Sequence, residues 1–244
     1  MTAIPLPPPE LQSLVGPGHF EVVGYRLCEL LRNVTDLNQA SRVLDIGCGC
    51  GRLAVHLTRH ISEEGRYDGL DIVLPMVEWC RENISPSFPH FHFHHARLTN
   101  TLYSAEGENP ATFTFPFADA SFDIIVATSV FTHLLPPSAH RYASEVARLL
   151  KPRGTAVLTF FLINSEYRRY RRESRDIIPF DHRLGDCWVT DPNNPEAVVA
   201  YEDGYAVEML RDKNFTVDSV LFGDWARRNN PRHYQDVVVA SRSK

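Results

Sequence analysis

No apolar run in this chain approaches the roughly 20 residues that a membrane-spanning helix requires. Ala156 to Ile163 is apolar but short, and reads as a buried strand. The N-terminus has no basic stretch followed by an apolar one, so no signal peptide is expected. No Cys-x-x-Cys pair occurs among Cys28, Cys48, Cys50, Cys80 and Cys187. An odd count without metal-ligand spacing points to reduced thiols and a cytoplasmic location. Basic residues are not in excess: 25 Lys and Arg face 30 Asp and Glu, a net charge of -5, which argues against a nucleic-acid partner. No internal repeat and no second-domain boundary is visible. What remains is a chain of 244 residues, 43% hydrophobic and 23% charged, long enough for one α/β domain with a full core.

Two nucleotide signatures are also missing, and the near misses locate the site. Val43-Leu44-Asp45-Ile46-Gly47-Cys48-Gly49-Cys50-Gly51-Arg52 reads as a buried strand, a glycine-rich turn and the start of a helix. The spacing predicts that helix from Arg52 to about His60, with free N–H groups at its N-terminus facing a ligand. The dinucleotide pattern Gly-x-Gly-x-x-Gly fails at its third glycine, where Arg52 stands. A phosphate-cradling P-loop fails because no Gly-Lys-Ser/Thr follows. Asp45, two residues before the first glycine, would repel a pyrophosphate and suits a ligand with a cationic amine. S-adenosyl-L-methionine carries such an amine and a sulfonium. A second strand, Arg66 to Ile72, delivers Asp71 about 20 residues beyond the glycines, where a carboxylate can take a hydrogen bond from each hydroxyl of a ribose.

On these residues the chain resembles the class I S-adenosylmethionine-dependent methyltransferases. Val43 to Arg52 is similar to that family's first motif and Gly69 to Ile72 to its second. Pro116 to Leu134 resembles the stretch through its fourth strand, and Leu149 to Phe160 its entry to the fifth. The resemblance runs from about Ser41 to the C-terminus. It implies a Rossmann-like three-layer sandwich on a mostly parallel seven-stranded sheet, order 3-2-1-4-5-7-6, with strand 7 antiparallel. It implies methyl transfer by in-line displacement, and a cofactor set of Asp45, Gly47, Cys48, Gly49, Gly51, Arg52, Asp71, Ile72, Arg97, Leu98, Thr128 and Ser129. Arg97 departs from the family, which often has an acid there for the adenine amine; backbone groups of Arg97 or Leu98 would then serve the adenine edge. Thr128 and Ser129 would lie beneath the sulfonium.

Around this frame, residues 1–40 read as a proline-rich extended arm and a covering helix, Phe20 to Leu31, over the cofactor mouth. Residues 41–244 form the methyltransferase domain, broken by a polar, arginine-rich insertion at about 164–195 above the carboxyl ends of the strands. Helices are expected over Pro75–Glu82, Ser138–Leu150 and Glu202–Arg211. The remaining strands are His90–His94, Phe122–Thr128, Thr155–Leu162, Phe215–Phe222 and Asp236–Ala240.

His90, His92 and His94 share one strand face, so their rings run parallel and do not converge on a metal. His133 would face the methyl-acceptor pocket, where a neutral imidazole can take a proton during attack; the competing reading is a capping or buried histidine. Arg168, Arg169, Arg171 and Arg172 read as a solvated lid face, or more sharply as a clamp for an anionic substrate. Tyr25, Tyr170 and Trp225 suit a pocket wall or the core. The Asn/Asp-Pro-Pro-Tyr signature of exocyclic-amine nucleic-acid methylators is absent, so a small-molecule acceptor is expected. Two other readings stand beside this one: a catalytically silent cofactor-binding protein, and an NAD-dependent oxidoreductase on a similar sheet. The oligomeric state is not legible.

Overall fold

The computed structural model describes residues 4–243 except 17, 104–105, 174–175 and 229–232. Ala3 and Pro17 of the proline-rich arm lie outside the described residues. The arm is not wholly extended. Pro9–Leu14 forms a short helix, α1, started by a proline whose missing N–H costs nothing at a first helical position. Helix α2 (Phe20–Val34) follows, and its Gly24 lies so close to the next segment that an added Cβ would sit 2.1 Å from the Arg52 carbonyl.

The main body alternates strand and helix: β1 (Arg42–Ile46), α3 (Ala54–Leu57), β2 (Arg66–Asp71), α4 (Leu74–Asn83), β3 (Phe91–His95), β4 (Phe122–Ala127), α5 (Pro136–Leu149) and β5 (Leu150–Phe160). After β6 (Leu162–Ile163), α6 (Ser165–Glu173), β7 (His182–Leu184), β8 (Cys187–Val189) and β9 (Val199–Glu202), the chain closes with α7 (Asp203–Arg211), β10 (Phe215–Leu221) and β11 (Asp236–Arg242). The seven-stranded sheet has the order β3-β2-β1-β4-β5-β11-β10, and β11 pairs antiparallel with both neighbours. This is the expected 3-2-1-4-5-7-6 arrangement, counted within the sheet.

Strand residues explain the three layers. Leu44, Ile46, Ile125, Ala127, Ala156 and Leu158 pack on one face with α5 and α7. Their chain neighbours Val43, Ile124, Val126 and Val157 pack on the other face with α2, α3 and α4. A sheet buried on both sides needs near-continuous apolar strands, which these are.

Above the carboxyl ends stands a second sheet, β6-β9-β8-β7, which the sequence reading did not anticipate. Its strands have two to four residues, too few for a period to register. It has its own core, including Phe161, Tyr167, Phe180, Ala200 and Trp225.

Candidate functional site

Parallel strands in register end at one level. Ile46 pairs with Leu70 and with Ala127, and Ala127 pairs with Leu158. The residues that follow each strand therefore meet on one rim, over a cavity of about 600 Å³. Asp45, Gly47, Cys48, Gly49, Arg52, Asp71, Ile72, Leu98, Thr128, Ser129 and His133 all line it.

Two residues of the expected set are placed elsewhere. Arg97 is exposed and outside the cavity wall; its carbonyl accepts the Glu108 N–H at 2.8 Å, and Ala96 and Leu98 on either side line the cavity instead. Gly51 lies behind the turn, where an added Cβ would meet Ile84 at 2.7 Å and Cys80 at 3.1 Å. The glycines thus serve the protein's own packing more than ligand approach. At Gly47, with φ +75°, a Cβ would press on Val130 at 2.5 Å.

The expected helix from Arg52 to about His60 is only the four-residue α3, so little helix dipole is directed at the cavity. Nor are the turn's amides free. Gly47 and Cys48 donate to the Leu70 carbonyl at 2.7 and 3.2 Å, and Gly51 to the Cys48 carbonyl at 3.0 Å. Gly49 donates to Asp71 Oδ2 at 2.7 Å, and Val73 to Asp71 Oδ1 at 2.8 Å. A phosphate cradle needs those amides. Here they hold the turn against β2.

Charged side chains occupy this end of the cavity. Asp45 is 3% exposed and accepts a hydrogen bond from the Tyr67 hydroxyl at 2.7 Å. Burial pushes its carboxyl up to about 7; the Tyr67 hydroxyl and Arg52 oppose the rise, and Asp71 adds to it. Burial also raises Asp71, against the N–H bonds from Val73 and Gly49. Each Asp71 oxygen accepts one backbone N–H and keeps a second lone-pair direction for a ligand hydroxyl. Arg52 has its Nη1 buried with no hydrogen-bond partner, and burial lowers its pKa. Buried guanidinium nitrogens are nearly always hydrogen-bonded, so this one stands out on the cavity wall.

The far end is built differently. A 3-10 turn at Phe131–His133 follows β4. His133 Nδ1 lies 3.0 Å from the Glu196 carbonyl oxygen. A carbonyl only accepts, so Nδ1 carries the proton and Nε2 keeps its lone pair. Burial lowers the His133 pKa despite that bond, which keeps the ring neutral at pH 7. Ser129 sits at φ +58°, donates its N–H to Thr159 Oγ1 at 2.8 Å, and shares Gln235 Oε1 with that hydroxyl.

Thr132, Tyr103, Tyr142, Phe161, Ile178, Val198, Tyr234 and Gln235 also line the cavity, as do Ser13 to Gly16 of the arm. Sequence reasoning did not reach them. For Gln235 a signal existed: it precedes an antiparallel strand, whose start shares the rim with the ends of the parallel ones. Tyr25, Tyr170 and Trp225 are not part of the wall, and Trp225 instead donates its Nε1–H to Asp236 at 2.7 Å. The arginine cluster is turned away: Arg171 pairs with Asp181 at 2.6 Å, Arg168 with Glu202, and Arg169 stacks over Tyr170. His94 pairs with buried Asp68, and no metal-competent cluster occurs among the described residues. All five cysteines are free and buried, and among the described residues no helix is long and apolar enough to cross a membrane.

A doubly covered sheet of this order, with an acid-flanked glycine turn on its rim, defines the Rossmann-like methyltransferase fold. Comparison with known proteins agrees. Residues 43–154 match the family model described as a methyltransferase domain. The 27-O-demethylrifamycin SV methyltransferase of Amycolatopsis mediterranei is 26% identical over 144 residues, 57% of this chain and 45% of that protein. The 2-phytyl-1,4-naphtoquinone methyltransferase of Trichormus variabilis is 27% identical over 146 residues, 58% of each chain. The chain spans about half the length of the curated relatives it matches. A crystal structure of an S-adenosylmethionine-dependent methyltransferase from Aquifex aeolicus superposes with a TM-score of 0.59 at 18% identity, covering 97% of this chain and 99% of that one. Residues 43–154 thus resemble a methyltransferase domain, on a fold shared with S-adenosylmethionine-dependent methyltransferases.

Proposed function

We propose that the protein binds S-adenosyl-L-methionine at the glycine turn and transfers its methyl group to a small-molecule acceptor held above Ser129 and His133. One observation carries the reading. The charged side chains of the cavity wall, Asp45, Arg52 and Asp71, gather at a turn whose Gly47, Cys48, Gly49 and Gly51 amides all donate within the protein. That arrangement suits a zwitterionic amino acid joined to a ribose, while the two carboxylates beside the turn oppose a pyrophosphate. Arg52 Nη1 takes the methionine carboxylate, Asp45 faces the amine, and Asp71 the ribose hydroxyls. Bound there, S-adenosylmethionine supplies an electrophilic methyl group on a sulfonium, so the hard chemistry is the cofactor's.

The chain's own task is alignment and proton handling. Holding acceptor and methyl carbon in line can contribute roughly 7–11 kcal/mol. His133 accepts the acceptor's proton at Nε2 while the Glu196 carbonyl fixes the ring through Nδ1. The relatives' printed names, a 27-O-demethylrifamycin SV methyltransferase among them, support a small-molecule acceptor.

Turnover tests the reading. With S-adenosylmethionine and a panel of hydroxylated neutral compounds, S-adenosylhomocysteine is released in step with a product heavier by one CH₂ unit. Tight NAD binding by folded protein that ignores S-adenosylmethionine would replace this reading with an oxidoreductase. Cofactor binding without turnover across the panel would leave a silent binder.

A further inference from the structure

Among the described residues, the far end of the cavity has no fixed charge. Among the described residues, its charged wall residues are Asp45, Arg52 and Asp71, all at the glycine turn. The remainder is mostly aromatic or aliphatic, apart from hydroxyls, the two amides of Asn100 and Gln235, and the neutral His133. Within it, Thr132 is 1% exposed and its hydroxyl has no hydrogen-bond partner. Buried hydroxyls are nearly always satisfied, so an orphan in a cavity wall points to a ligand.

The mouth carries a second signal. Leu14, Leu102, Tyr103 and Tyr234 are 46%, 44%, 38% and 54% exposed, although large apolar and aromatic side chains gain from burial. All four line this same cavity. They come from the arm, the loop after β3 and the segment before β11, and converge on one opening. The collar is continuous with the cavity, so an acceptor too large for the far end would rest on it.

Resting on the methyl-transfer reading above, we infer that the acceptor is a bulky, uncharged, largely apolar molecule. It offers one hydroxyl to Thr132 and His133 at the bottom and leaves the rest of its skeleton against the collar. The Thr132 hydroxyl donates to the acceptor oxygen while His133 Nε2 takes its proton. The O–H bond breaks as the O–CH₃ bond forms, and the sulfur keeps the electron pair of the bond it loses. A carboxylated or sulfated acceptor would lose its hydration to a wall that, among the described residues, offers no cation to replace it.

The test uses the full chain saturated with S-adenosylhomocysteine, checked first by calorimetry. Nile red, a neutral apolar dye, reports on the acceptor end by its fluorescence. Estradiol is expected to displace the dye, and estradiol 3-sulfate to do so about tenfold less well. The Tyr103→Ser variant is expected to weaken dye and estradiol binding about tenfold with S-adenosylhomocysteine affinity unchanged. Tyr25→Ser, an exposed aromatic away from the cavity, is expected to change nothing. Thr132→Val is expected to weaken estradiol but not the dye, with Tm unchanged or higher, because it removes an unsatisfied buried hydroxyl. Equal displacement by the sulfate ester, or full dye affinity in the collar variant, overturns this inference alone. No calorimetric signal with S-adenosylhomocysteine overturns the cofactor reading beneath it.

Discussion

The two ends of one cavity are built by opposite means. The cofactor end comes from consecutive pieces of chain, β1 with its turn and the tip of β2, and backbone hydrogen bonds lock the turn onto Asp71 and β2. The acceptor end is collected from the loop after β3, the 3-10 turn after β4, the connections of the second sheet and the segment before β11, and it is mostly apolar. The first end can be changed little without losing the turn. The second can change its walls while the sheet beneath stays the same. That division allows one fold to keep one cofactor and vary its acceptor.

If the ends are separable, mutations should sort cleanly. The largest effect belongs to the acceptor end. His133→Ala should lower kcat by about two to four orders of magnitude while the Kd for S-adenosylhomocysteine stays the same. Its pH profile should sharpen the point: burial lowers the His133 pKa, so the neutral base persists through pH 7 and the wild-type acid limb falls below the usual pKa of about 6.5. If kcat and cofactor affinity fell together, the two ends would not be independent.

At the cofactor end, Asp71→Asn replaces one acceptor oxygen with a donor facing a backbone N–H. Cofactor affinity should drop about 100-fold, read by calorimetry, with dye binding at the far end retained. Arg52→Met should weaken the cofactor about tenfold. Its Tm should hold or rise, because the buried unpaired nitrogen is gone. A fall in Tm would mean that Arg52 serves the fold rather than the ligand.

Asp45 gives a smaller, pH-dependent effect. Its carboxyl titrates near 7 in the empty site, and only its anion attracts a cationic amine. Cofactor affinity should therefore fall by up to about tenfold per pH unit below 7. Stability runs the other way. The folded pKa lies above the unfolded value of about 3.9, so the contribution to stability is present below that value and is lost as pH rises through 7. Asp45→Asn should flatten both curves. The smallest effect is expected at Arg97, exposed and outside the wall, where Arg97→Ala should leave every constant alone.

The same contrast explains how much the sequence revealed. The turn, Asp45, Arg52 and Asp71 were legible because strand, bend and acid are neighbours in the chain, and a local pattern carries them. The sheet order followed from resemblance to a known family, not from periodicity. His133 was legible by its position after β4, but the hydrogen bond that sets its tautomer comes from Glu196, 63 residues away. Gln235 meets Ser129 across 106 residues, a contact that no window of sequence holds. Arg97 misled because position along the chain said nothing about side-chain direction at the end of β3. The helix expected after the turn is regular only over α3: the hydrogen bonds from Gly51 to Ile61 mix i→i−4 and i→i−3 spacing, so tight turns flank one α-helical turn.

Titration calorimetry of the folded protein with S-adenosylhomocysteine and, separately, with NAD tests the central claim most directly. Stoichiometric heat with the sulfur nucleoside, weakening as pH falls below 7, and none with NAD is the expected result. Heat with NAD alone would contradict it.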